Sequence, residues 1–462
     1  MTSQDLRHFL AEYVRDHPDD ALEINEPVRA SQDVTAIVWE LAARGTHDLL
    51  RFTNVGVGDH DVVTNMFASR PRIERMLGAA PGQLHERYDE LAAEMQPLQE
   101  LEVGPVTDHV VIGDDVDLTK LPLLTHFETD LGPYITSGII VGEDPETGCG
   151  NLSYHRAVLS DSKTLATSLH SRGDLWRLLQ DAERRREKLP VAMVIGAHPL
   201  FMLAASARVP LAVDEREVAG GLFGAPLEVI RTPLHGLRVP ATAEYVLEGV
   251  IDPTATVEEG PFGEFSGYSS DRSTHSRFEV QAVLHRNNPI WVDVVGGNSN
   301  EHLNLARVPR ESEMSTKLKA RFASVKAVHY PNSGTHFHCY VSVDQRRPGE
   351  ARQIMLALLG WDPYLKTVVA VDSDIDLKND SEVLWALATH FQPAQDLFVI
   401  DGLPGSPLDP SSSPDGSTSR LALDATRGPD FDGTRIVISD AARDNAVEIA
   451  DRLLAREEAH HV

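Results

Sequence analysis

The chain has 462 residues, 42% of them hydrophobic and 24% charged, too long for one hydrophobic core and expected to divide into roughly two to four domains. Seventy acidic against 42 basic residues leave a formal net charge of −28, which repels nucleic acid and anionic membrane surfaces and excludes both as partners. An anionic substrate therefore demands a local positive site, built from arginine, a metal or helix N-termini.

Two cysteines, Cys149 and Cys339, are too few for a disulfide scaffold and lack metal-binding spacing, as a reducing cytoplasm would have it. The N-terminus is acidic where an export signal needs a basic start, and no stretch approaches about 18 uninterrupted apolar residues. A cytoplasmic protein without a membrane span is expected.

In chain order, Leu6, Phe9, Leu10 and Tyr13 recur at helical spacing, and Ser31 is placed to cap a second amphipathic stretch ending near Gly45. Short apolar runs at 49–53 and 62–65 read as strands, giving a small α/β unit over 1–104. The region 105–308 is rich in strands, at 109–112, 134–141, 149–159, 191–195, 227–231, 278–285 and 290–295. Turn signals at 143–148 and 286–289 suit hairpins, so a largely antiparallel sheet or barrel is expected. From Pro309 the pattern alternates helix and strand (311–322, 337–343, 351–359, 366–371), a third α/β unit over 309–435. Residues 402–433, rich in Pro, Ser, Gly and Asp, read as loop, and 440–455 closes the chain as an amphipathic helix within the segment 436–462.

The most informative segment is Glu258-Glu-Gly-Pro-Phe-Gly-Glu-Phe-Ser-Gly-Tyr268. Its glycines and proline force a compact path from which Glu259 and Glu264 can aim their carboxylates into one cavity. Two carboxyls held close titrate apart, one staying ionised while the other holds a proton for delivery. Phe262, Phe265 and Tyr268 point to a lined pocket rather than a solvated turn. In Gly148-Cys-Gly-Asn-Leu-Ser-Tyr-His-Arg156, strand alternation puts Asn151, Ser153 and His155 on one face and Arg156 on the other, unless a bulge intervenes. Arg156 could supply a bidentate contact to an anion. Asn151, His170 and Glu215 are suitable ligands for Mn²⁺ or Mg²⁺ when a phosphate completes the shell. The imidazoles of His336 and His338 lack a third ligand and are left outside the site.

Four ordered motifs are Asn151-x4-Arg156, the Glu215 segment leading into Gly220-Gly-Leu-Phe-Gly224, Arg238-Val-Pro-Ala-Thr-Ala-Glu244 with Glu248-Gly249, and Glu259-Gly-Pro-Phe-Gly-Glu264. Together they resemble the UbiD family of decarboxylases, which use prenylated flavin mononucleotide. The resemblance implies an α+β fold of three parts, with a central split β-barrel holding the flavin between N-terminal and C-terminal α/β domains. It implies a cofactor site at Asn151, Ser153, His155, Arg156, Leu169, His170, Ala205, Ser206, Glu215 and Lys366. Of these, Asn151, His170 and Glu215 would hold Mn²⁺ or Mg²⁺ with K⁺ nearby, and Lys366 the phosphate.

The implied activity is that of a carboxy-lyase. It is a reversible, non-oxidative decarboxylation of a furan, pyrrole, indole or larger aromatic acid, releasing CO₂. Arg156 would orient the carboxylate, Glu259 would hold Arg156, and Glu264 would protonate the product carbon. His302 and Arg310 fall where members acting on furandicarboxylate recognise the second carboxylate. Asn298-Ser-Asn300 before Glu301 departs from that pattern and admits a different or bulkier ring. A separate flavin prenyltransferase would supply the cofactor, and a homodimer or homohexamer is implied. The alternatives are a decarboxylase of phenolic or acrylic acids in the same family and an FMN-dependent split-barrel oxidoreductase.

Overall fold

Alternating apolar residues in the middle of the chain build one nine-stranded antiparallel sheet around which the molecule is organised. The computed structural model describes residues 3–458 except 59, 170–172, 211, 272 and 346. In spatial order the sheet runs Tyr134–Ile135, Ala157–Asp161, Thr164–Thr167, Ser276–His285, Tyr245–Thr256, Leu189–Ile195, Ile139–Glu143 and Gly150–Tyr154, and His109–Ile112 pairs alongside Ser276–His285. Its terminal strands, Tyr134–Ile135 and Gly150–Tyr154, do not pair with each other, so among the described residues the sheet does not close into a barrel. Strand alternation sends Ala192 and Val194 into one core and Val191, Met193 and Ile195 into a second on the opposite face. The first core packs against helices Arg70–Leu77, Pro199–Ala204 and Glu215–Phe223, and the second against Asp33–Ala43 and Asp174–Arg185.

The N-terminal unit places helix Leu6–Asp16 beside a four-stranded sheet, in the order Ala21–Ile24, Leu49–Phe52, Val62–Thr64 and Trp291–Val292. Its last strand comes from residues beyond 290, so the turn at 286–289 carries the chain between sheets instead of closing a hairpin. The turn at 143–148 does close one, joining Ile139–Glu143 to Gly150–Tyr154. Ser31 does not cap the second helix: Gln32 holds the N-cap position, and Ser31 instead bridges to Thr125.

The C-terminal unit is a five-stranded sheet, ordered Val325–His329, His338–Val343, Thr367–Asp372, Ser417–Ala425 and Leu397–Pro404, with helices Glu350–Trp361 and Asp380–Thr389 against it. Two expectations fail here. Residues 402–433 are not one loop, because Thr418, Arg420 and Ala422 alternate inward along Ser417–Ala425, which inserts between two other strands. The Pro-, Ser- and Gly-rich flanks mask that alternation. The helix expected from 311 starts at Asn300 and runs to Arg321 through Pro309, across the border drawn at 308/309. A proline there costs about 3 kcal/mol. Leu305, Val308, Met314 and Leu318, all buried, supply the packing that outweighs it.

That helix joins the units through Glu311, which is fully buried. Arg70 of the N-terminal unit binds both its oxygens at 2.8 Å, His85 reaches it at 2.7 Å, and from the C-terminal unit come the Tyr330 N–H at 2.7 Å and His329 at 3.3 Å. Burial opposes ionisation, but Arg70 and the two histidines outweigh it and hold Glu311 well below the usual carboxylate range. A depressed folded pKa stabilises the fold fully above the unfolded value and loses that contribution as pH falls. Glu311→Gln is therefore expected to cost about 3–5 kcal/mol near neutral pH by leaving Arg70 buried without its counter-ion. Urea unfolding should show the deficit shrinking on acidification below about pH 5.

Candidate active site

The segment around Glu259 is held by its neighbours, not by regular structure. Phe262–Gly263 pairs with Ser269–Ser270, and the Gly267 N–H closes the turn on the Glu264 carbonyl at 2.9 Å. Gly260 and Gly267 sit at φ of +93° and +82°, a region that favours glycine. Tyr134, fully buried, clasps the bend: its hydroxyl accepts from the Gly260 N–H at 3.2 Å and donates to the Pro261 carbonyl at 3.3 Å. Asp130 accepts from the Gly263 N–H at 3.0 Å, and Phe127 packs so close that a Cβ on Gly263 would meet its ring at 2.2 Å.

These supports leave Glu259 and Glu264 both facing Arg156. The guanidinium binds Glu259 bidentately, from Nε at 2.8 Å and Nη2 at 3.0 Å, and Nη1 bonds to Glu264. It lies over the Phe262 ring, 4.8 Å from the centroid, and Phe262 in turn packs on Tyr134. The expected strand 149–159 is two strands broken at His155 and Arg156, which frees both side chains from strict alternation to line the same cavity. Burial pushes the Glu264 carboxyl above its ordinary range, against the lowering pull of Arg156 and with reinforcement from Glu259 and Asp130.

A polar line leads away from Arg156. Glu215, first residue of helix Glu215–Phe223, accepts from Asn151 Nδ2 at 3.3 Å and from the Leu152 N–H at 3.0 Å. Asn151 contacts Ser153, which contacts His155 Nε2 at 2.8 Å, and His155 Nδ1 meets the Ser168 carbonyl. Burial pushes Glu215 up to about 7, and among the described residues no salt bridge joins it to a cationic side chain. A buried carboxylate in that state suits a divalent cation, and the oxygen donors of Asn151 and Glu215 suit Mn²⁺ or Mg²⁺. His170, the third expected ligand, lies outside the described residues. Leu169, Ala205 and Ser206 line the cavity. Lys366 stands behind it, bound to Asp409 at 2.8 Å and Ser411 at 2.6 Å on the loop whose residues 406–408 line the cavity. Glu244 and Glu248 are buried structural acids, Glu244 binding Arg7 and Arg286, Glu248 the Leu234 and His235 N–H groups.

The cavity encloses about 650 Å³ between the central and C-terminal units. His302 and Arg310, both on helix Asn300–Arg321, line it. So do Arg208 and His336, which the sequence did not single out for the site. His336 enters because Phe265 packs against it, ring centroids 4.5 Å apart and planes tilted by 50°, a contact between residues some 70 positions apart that spacing does not reveal. Tyr134 and Asp130 were missed for the same reason.

Three family models match the chain. They are the 3-octaprenyl-4-hydroxybenzoate carboxy-lyase N-terminal domain over residues 15–92, the Rift-related domain over 99–299 and the C-terminal domain over 303–425. An anhydromevalonate phosphate decarboxylase of Methanosarcina mazei is 33% identical over 408 residues, covering 88% of this chain and 92% of that protein. The UbiD-class enzyme HmfF from Pelotomaculum thermopropionicum, in complex with FMN, superposes with a TM-score of 0.89 at 31% identity, covering 95% and 98% of the two chains. An evolved dimeric form of HmfF in complex with prFMN gives 0.85 at 29%, covering 95% and 100%. Among the described residues no helix is long and apolar enough to cross a membrane.

Tyr134→Phe keeps the ring packing and deletes the hydroxyl that clasps the catalytic bend. Turnover is expected to fall about tenfold, equivalent to about 1.4 kcal/mol of lost positioning. Steady-state kinetics check this, with flavin absorbance unchanged as the loading control.

Proposed function

The chain belongs to the UbiD family of carboxy-lyases, and from that premise we propose that it decarboxylates, reversibly and without net oxidation, a heteroaromatic or similarly conjugated carboxylic acid bearing a second anionic group. The observation that carries this reading is the buried set of Arg156, Glu259 and Glu264, of which Arg156 and Glu264 line a cavity large enough for a flavin and a small acid.

Prenylated FMN, when bound, supplies an electrophilic centre that accommodates the electrons left on the substrate carbon as CO₂ departs. Asn151 and Glu215, with His170, would hold its metal, Mn²⁺ or Mg²⁺, with K⁺ as a second ion, and Ser153, His155, Leu169, Ala205, Ser206 and Lys366 would contact the cofactor. Glu259 fixes the plane of Arg156 through two parallel bonds, so the guanidinium presents a fixed edge to the substrate carboxylate. The arriving carboxylate competes with Glu264 for Arg156 and, as a like charge, raises the Glu264 pKa further. Glu264 thereby takes up a proton as substrate binds. CO₂ departs neutral and leaves its bonding electron pair, and with it the negative charge, on the substrate carbon, which the proton from Glu264 then neutralises. One proton is consumed per CO₂ released. His302 and Arg310 receive the second anionic group.

The enzyme works as a homodimer or homohexamer in the cytoplasm, supplied with cofactor by a separate flavin prenyltransferase. Similarity to a decarboxylase of anhydromevalonate phosphate supports a second reading, in which the substrate is an unsaturated acid carrying phosphate.

The test is coexpression with a flavin prenyltransferase and a screen of furan, pyrrole, indole and acrylic acids for CO₂ release. A normal cofactor spectrum with no acid converted would refute the reading. Glu264→Gln is expected to lower turnover by about 10³-fold or more while flavin loading is retained. Because Glu264 acts in its protonated form, the decarboxylation rate should fall as pH rises through its elevated pKa, a limb absent in the variant.

A further inference from the structure

We propose that Arg310, Arg208 and His336 form a subsite for a phosphate monoester carried by the substrate, beside Phe265 and next to the proton donor. This rests on the decarboxylase reading and names the second anionic group.

The cavity walls carry the guanidiniums of Arg156, Arg208 and Arg310 against one carboxylate, Glu264. Arg156 is already matched by Glu259 and Glu264, so the surplus positive charge belongs to the other two. Arg208 has a half-exposed partner contact with Glu313 at 3.4 Å. Arg310 has less. Its nearest carboxylate, Asp362, stands 3.6 Å from Nε and is itself engaged by the Tyr330 hydroxyl at 2.8 Å and the Tyr364 N–H at 3.0 Å. Arg310 is buried, and its Nε and Nη1 have no hydrogen-bond partner among the described residues. Its guanidinium is fixed over the Tyr364 ring at 4.6 Å. Buried donors left in this state cost about 1–3 kcal/mol each, more when charged, which an arriving acceptor recovers.

The surroundings reinforce the same sign. Arg307 lies one helical turn from Arg310 and, among the described residues, hydrogen-bonds to neutral groups, Asn332 Oδ1 and the Thr335 carbonyl. Burial brings it down to about 9, against the pull of Glu311 and with the charges of Arg70 and Arg310. His336 is buried, its Nδ1 unpartnered among the described residues. Burial keeps it neutral, together with the charges of Arg310, Arg307, His302 and Arg208 converging on it.

A carboxylate is planar, singly charged and satisfied by one bidentate arginine. Here the donors converge from separate elements: Arg310 from helix Asn300–Arg321, His336 from the loop before His338–Val343, and Arg208 from the segment after Pro199–Ala204. That arrangement, with two guanidiniums whose carboxylate partners stand at 3.4 and 3.6 Å and leave donors over, fits a tetrahedral dianion. It is not the flavin's own phosphate site, because that group stands a ribityl chain away from the reacting ring, whereas His336 packs on the residue following Glu264.

The experiment is calorimetric titration of the holoenzyme with butyl phosphate, which has no carboxylate to lose, against glutarate and pentanoate. Butyl phosphate is expected to bind at least about tenfold more tightly than either acid, and to weaken below about pH 6 as the dianion takes up a proton and becomes a monoanion. Arg310→Gln and Arg208→Gln should each lower phosphate affinity about tenfold, and Arg310→Lys should lose less than Arg310→Gln. Glutarate binding as tightly as butyl phosphate would overturn the proposal, as would phosphate affinity indifferent to all three substitutions in proteins that retain their flavin. Since this assay involves no turnover, the two readings fail separately. CO₂ release from a dicarboxylate without phosphate binding would sink only the subsite, and arginine-dependent phosphate binding with no acid converted would sink only the decarboxylase.

Discussion

Everything at the catalytic centre depends on keeping one guanidinium charged inside a protein whose net charge is −28. Arg156 is mostly buried, and burial works against its charge, yet the pull of Glu264 and Glu259 more than offsets it. A bidentate partner also fixes direction. With Glu259 occupying Nε and Nη2, the plane of Arg156 is set before any ligand arrives, and Phe262 beneath it prevents tilting. Glu264 is the third member of an already balanced set, so it is the group whose protonation responds to a change of charge nearby. The asymmetry between two chemically identical side chains thus comes from their different geometries toward a single arginine.

That asymmetry is maintained by contacts distant in sequence. Tyr134 grips the peptide bend between the two acids, Asp130 fixes the backbone just before Glu264, and the break between Gly150–Tyr154 and Ala157–Asp161 turns Arg156 inward. Each comes from the central sheet or its connections. The C-terminal unit contributes the opposite wall, through His336 and residues 406–408, so the cavity exists only where two units meet.

Much of this was legible in the sequence, and its failures follow a rule. The glutamates, Arg156 and the hydrogen-bonded pair Asn151 and Glu215 lie in segments whose glycine, proline and aromatic content marks them locally, and the structure brings them to one region. What was misread was determined by tertiary packing. Strand Ser417–Ala425 hides among turn-forming residues and is stabilised by neighbours on both sides. The twelve-residue strand Tyr245–Thr256, pairing on both edges near the middle of the sheet, passed unnoticed because burial on both faces removes the alternation that signals a strand. His336 looked incidental in an HxH pair because its partners, Phe265 and Tyr364, are set by the fold.

Helix Asn300–Arg321 carries His302 on one side of Pro309 and Arg310 on the other. The proline has no N–H to return to the carbonyl four residues earlier, so the rod is mechanically weakest between them. The one helix position that lacks its return hydrogen bond therefore lies between the two side chains that this helix sends into the cavity, so their spacing depends on the local bend of the helix as well as on their rotamers.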